Sequence, residues 1–164
     1  MRRLGLCLAI IGWLFATVSP ALAAKPEKAA RSADSATFAA GDVCDFPLRL
    51  DYPDARLHAI VFDRRDGAFR ENVGGRLVAR ATNLSTGASV TRNSSGPARL
   101  WVASDGQLVV RYGGSSLFPF FDGDAGGPGV LYTTGPLVLH IGDDGFIASV
   151  KLPNNVEDVC ATLS

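Results

Sequence analysis

The chain has 164 residues, 47% of them apolar, with 16 basic against 16 acidic side chains. That is the composition of one soluble domain, and it lacks both the basic surplus of a nucleic-acid-binding protein and a polybasic membrane patch.

Met1 is followed by Arg2 and Arg3, then an apolar run from Leu4 to Val18, then Ser19-Pro20-Ala21-Leu22-Ala23. A basic start, a short apolar core and a small-x-small site are the three parts of a secretory signal peptide, read here over residues 1–23 with cleavage after Ala23. A membrane anchor is the rival reading, but the apolar run of about 15 residues falls short of the roughly 20 needed to span. Arg2-Arg3 raises the twin-arginine route, yet the rest of that motif is missing, which favours general secretion. Cleavage leaves 141 of the 164 residues, with 14 basic against 16 acidic. The expected product is secreted, extracellular or associated with the cell wall, and has no stable membrane anchor.

Residues 24–41 are rich in Ala, Ser and charge and lack a strand period, so a disordered leader is expected ahead of a single domain over 42–164. Loss of Cys7 with the signal leaves Cys44 and Cys160, an even number. In an oxidising compartment they are expected to pair and tie the start of the domain to its end; two unpaired buried thiols are the alternative.

From Phe46 to Leu152 short apolar segments alternate with turns. Asp66-Gly67, Asp105-Gly106 and Asp144-Gly145 read as two-residue type I′ hairpin turns, with looser turns at Thr86-Gly87 and Thr134-Gly135. Their spacing implies an all-β fold, an antiparallel sandwich or small meander-type barrel. A two-residue loop at Asp144-Gly145 pairs Leu139 with Val150, His140 with Ser149 and Ile141 with Ala148. It collects Leu137, Leu139, Ile141, Phe146, Ala148, Val150 and Leu152 on one core face. At Asp105-Gly106 the same rule pairs Trp101 with Val110 and Ala103 with Leu108, making Trp101 a core aromatic beside Leu108 and Val110. At Asp66-Gly67 it pairs Asp63 with Arg70 and Arg64 with Phe69.

Ser116-Leu117-Phe118-Pro119-Phe120-Phe121 carries aromatics on both strand faces, and Pro119 marks an edge strand or a bulge. Such a segment suits a ligand cavity or a partner contact. At the end, Asn154 or Asn155 can cap a short C-terminal helix with Val156, Val159, Cys160 and Leu163 on one face.

Chemistry-bearing groups are few. There is no G-x-S-x-G elbow, and the His140–Ser149 pair is the nearest approach to a catalytic dyad; a polar cross-strand pair accounts for it equally well. Asp122 and Asp124 sit in a glycine-rich loop that superficially resembles a calcium loop, but Gly126 takes the third acidic position and no glutamate completes it. No metal site and no cofactor are expected. Asn83-Leu84-Ser85 and Asn93-Ser94-Ser95 match the glycosylation pattern. Arg outnumbers Lys 13 to 3, which together with abundant Ala and Gly fits a bacterial genome of high G+C content, where those sequons are inert.

Cys-Asp-Phe-Pro at 44–47, Thr-Asn-Leu-Ser-Thr-Gly-Ala-Ser-Val-Thr at 82–91, Ser-Gly-Pro at 95–97, the Gly-Pro-Gly at 127–129 and Asp-Val-Cys-Ala-Thr-Leu at 158–163 occur in that order. In this the chain resembles small secreted actinobacterial proteins of uncharacterised function. The resemblance implies a bacterial, exported, all-β, disulfide-linked domain and supplies no catalytic residues. The expected role is a non-enzymatic binding or structural module. Two alternatives stand beside it: a β-barrel carrier of an apolar small molecule, with Trp101, Phe118, Phe120 and Phe121 near its mouth, and a small secreted hydrolase using His140 or His58.

Overall fold

The computed structural model describes residues 27–63 and 69–164; the signal peptide over 1–23 and the Asp66-Gly67 turn lie outside the described residues. The described chain is β1 (Glu27–Arg31), β2 (Ala36–Phe38), β3 (Leu48–Asp63), β4 (Phe69–Asn83), β5 (Ser89–Asn93), β6 (Ala98–Val102), β7 (Leu108–Tyr112), β8 (Ser115–Phe120), β9 (Gly129–Thr134), β10 (Leu137–Ile141), β11 (Ile147–Lys151), β12 (Asn155–Asp158) and α1 (Val159–Leu163).

A large antiparallel sheet runs β1-β3-β4-β6-β7-β10-β11, with β2 added to β3 and β5 to β4; a small one runs β12-β9-β8. Neither closes on itself among the described residues, so the architecture is the sandwich and not the barrel. The long β3–β4 pair divides the large sheet into two wings. Pairing shifts between Asp51 and Asp54, where Pro53 has no N–H to give the ladder and a bulge absorbs it. Beyond that bulge β4 changes partners, from β6 at Arg70–Val73 to β5 at Val78–Thr82.

Each wing has its own core. Leu48, Leu50, Ala79 and Ala81 of the first pack with Leu117 and Val130 of the small sheet and with Val159 and Leu163 of α1. Val110, Leu137, Leu139 and Ile147 of the second pack with Phe120, against which Phe118 and Leu131 also lie. Because Leu117 and Phe118 are successive on β8 and so point to opposite faces, the small sheet is held between the wings with one face toward each.

Several expectations need correction. Much of the expected leader is strand: β1 pairs with Leu57–Val61 and β2 with Leu48–Leu50. Composition suggested disorder, but the edge of β3 offers unpaired N–H and C=O groups that any extended segment can use. Arg31 is further fixed by donating to Glu71 at 2.7 Å.

The two described Asp-Gly loops hold three residues, not two. In both described cases the Gly amide donates to the carbonyl three residues back, Gly106 to Ala103 and Gly145 to Gly142. The two glycines adopt φ of 88° and 84°, which is a type I turn followed by a left-handed residue. The register therefore moves by one. Trp101 faces Val109, Leu100 faces Val110 and Asp63 faces Phe69. A shift of one sends each side chain to the other face, so Trp101 leaves the core expected for it. At the last hairpin Leu139↔Val150 and His140↔Ser149 hold as expected, then a bulge pairs Ile141 with Ile147. Ile147 is thereby buried while Phe146 is 46% exposed, the reverse of the expected arrangement.

The terminal helix is shorter than expected. Asn155–Asp158 pair with β9 as β12, and Asp158 caps α1, accepting from the Ala161 amide at 3.0 Å. Cys44 and Cys160 form the expected disulfide, with Cα atoms 5.5 Å apart. Closing that loop contributes on the order of 4–5 kcal/mol in the chain-entropy picture. Pro119 lies on β8, which pairs only with β9 and is an edge strand as expected.

Candidate functional site

Where the two wings diverge, a cleft of about 250 Å³ opens between the bend of the large sheet and the free edge of β8. The β3 bulge brings in Tyr52, β4 brings Leu77, and β8 supplies Ser116, Leu117, Phe118 and Pro119. Tyr112 ends β7 and Ser94 follows β5. The two turns beside them meet backbone to backbone: a Cβ on Gly96 would lie 2.8 Å from the Cα of Gly114. Only glycines permit that approach, and it brings the ends of β5 and β7 together.

The cleft is mostly apolar with a few convergent polar atoms. Ser94 is 9% exposed and its hydroxyl, fully buried, has no hydrogen-bond partner. Its neighbour Ser95 exchanges hydrogen bonds with Leu77 instead, its hydroxyl accepting from the amide at 2.9 Å and donating to the carbonyl at 3.3 Å. Ser116 is satisfied by Thr133 at 2.8 Å. Burial pushes the Tyr112 phenol up to about 12, with the charge of Tyr52 adding to it, and burial raises Tyr52 as well. Both phenols are therefore neutral at physiological pH and present O–H groups.

Of the four aromatics expected to face a ligand, only Phe118 lines this cleft. Phe120 is 1% exposed in the second core. Phe121 packs edge-on against Phe38 with ring centroids 5.6 Å apart. Trp101 lies on the far face of the large sheet. Sequence reasoning did not find Tyr52, Tyr112 or Ser94. Pro53 inside a long strand was a usable signal for the bulge beside Tyr52.

The other candidates resolve into structural roles. Asp124 accepts from the amides of Phe121 at 2.7 Å and Ile147 at 2.8 Å, using both carboxylate oxygens to pin its loop to β11. Among the described residues no three His, Cys, Asp or Glu side chains are grouped to hold a metal. His58 and His140 make no hydrogen bond to a carboxylate or hydroxyl among the described residues, so the geometry the hydrolase reading requires is not formed. Asn83 is 2% exposed and donates to the Leu163 carbonyl at 2.9 Å, so the first sequon is a pin for α1. No helix among the described residues is long and apolar enough to cross a membrane. No family model, curated protein or solved structure matches this chain.

Proposed function

We propose that the chain is an exported, non-enzymatic binding module, and that the cleft at the bend takes a small molecule with an apolar body and one or two polar atoms. The observation that carries this reading is the open cleft itself, lined by Leu77, Leu117, Phe118 and Pro119 and flanked by the neutral phenols of Tyr52 and Tyr112. The volume is just below the range usual for ligand pockets, which argues for a fragment-sized ligand and against a lipid. Export is supported by the three-part start of the chain and by the Cys44–Cys160 bridge, a bond that persists in oxidising compartments. The resemblance to small secreted actinobacterial proteins agrees with that location.

A fragment screen followed by amide chemical-shift mapping tests the cleft. Compounds joining one ring to a hydroxyl or amide are expected to shift Ser94, Tyr112, Ser116 and Phe118 together. A well-dispersed spectrum in which no fragment shifts that group sinks the proposal. Intact mass of the secreted product tests export: residues 1–23 should be absent and reduction should add about 2 Da, one hydrogen per sulfur.

A further inference from the structure

The second wing has an outer face as well as a core face. In-register pairing places one row across seven strands: Lys28 on β1, Ile60, Asn72, Arg99, Arg111, Val138 and Lys151 on β11. The adjacent row carries Phe62, Arg70, Trp101, Val109 and His140. At the usual strand spacing the first row is about 29 Å long. No acidic residue occupies either row.

Elsewhere the chain neutralises its arginines. Arg31, Arg49, Arg56, Arg76, Arg80 and Arg92 each sit in an ion pair. Lys28, Arg99, Arg111 and Lys151 are exposed and form none among the described residues. Arg99 and Arg111 are moreover direct cross-strand partners, and like charges directly opposite one another destabilise a sheet. Among the described residues nothing uses this arrangement, which leaves it open to a counter-charge from outside.

We infer that this face binds an anionic polysaccharide lying across the strands, with carboxylates on Arg99 and Arg111 and a sugar ring against Trp101. A row that continues across seven strands suits an extended polymer better than a compact ligand, and guanidinium forks match carboxylates. A single-stranded nucleic acid would need successive aromatic platforms. Here Phe62 is already covered by Arg70, 5.8 Å from its centroid, which leaves one free indole. A bilayer would need projecting apolar groups, whereas Val109 is 3% exposed and Ile60, Phe62, Trp101 and Val138 are all half-buried.

The test is calorimetric titration of the oxidised, signal-free chain with polygalacturonate, run beside neutral dextran, an oligothymidylate and vesicles of phosphatidylcholine with phosphatidylglycerol. Polygalacturonate should bind and dextran should not, with affinity falling about tenfold or more between low and physiological salt. Arg111→Glu should weaken binding by about tenfold or more and Trp101→Ala several-fold, while Ser94→Ala in the cleft changes nothing, which separates this surface from the cleft. Arg111→Glu can pair with Arg99, so its folding is verifiable by its unfolding transition. Equal binding by the wild type and a folded Arg111→Glu protein, no binding of polygalacturonate, or tighter binding of the oligonucleotide or the vesicles would each overturn the inference.

Discussion

The two faces of the second wing are built from alternating residues of the same strands, yet they follow opposite rules. Toward the small sheet, Leu100, Val110, Leu139 and Val150 stand in register and pack into one core. Among the described residues the one charged side chain buried there, Glu71, has its partner in Arg31. On the far side of the same rungs, Arg99 faces Arg111 with no compensation in the described fold. The inner face is what folding requires, and the outer face keeps an arrangement that folding alone would discard. Such a local conflict is expected at functional or strained sites, and the polysaccharide proposal rests on it.

The inner face is the more sensitive of the two to substitution. Leu139→Ala, at a position with no exposure, should cost about 3–4 kcal/mol in urea unfolding, whereas Val138→Ala next to it, facing outward, should cost less than about 1 kcal/mol. Equal losses would mean that the two faces are not distinct. Alkaline titration probes the same core. The Tyr112 phenol ionises near its ordinary 10.0 in the unfolded chain and near 12 in the native one. Its stabilisation is complete below pH 10 and is lost as pH rises from 10 through about 12, by roughly 2–3 kcal/mol, with Tyr52 acting in the same direction. Tyr112→Phe should remove most of that slope. Arg31→Ala comes next: it strands Glu71, whose side chain is 8% exposed, but Arg31 itself is 45% exposed. Solvent screening holds the expected loss to about 1–3 kcal/mol, and Glu71→Met should be nearly neutral.

Much of this was legible in the sequence. The strands, the Cys44–Cys160 pairing and the edge position forced by Pro119 follow from residue chemistry that acts locally or through cysteine parity. Register did not, because an Asp-Gly step serves a two-residue loop and a three-residue loop equally well, and one residue of difference moved Trp101 from core to outer face. Nor did β1 and β2, whose order depends on an edge supplied by β3, or β12, which a helical spacing of valines concealed. The cleft was the least legible, since Tyr52, Ser94 and Tyr112 are joined only by a bend in the sheet and a glycine contact. The outer rows, by contrast, follow directly once the register is correct.

The smallest effect is also the most direct test, because its sign is opposite to that of most substitutions. Arg111→Glu replaces a like-charge rung with an opposite-charge one, and the chemical-denaturation midpoint should rise, by a few tenths to about 1 kcal/mol of stability. A fall in the midpoint would mean that Arg111 serves the fold, and would contradict the division of labour between the two faces.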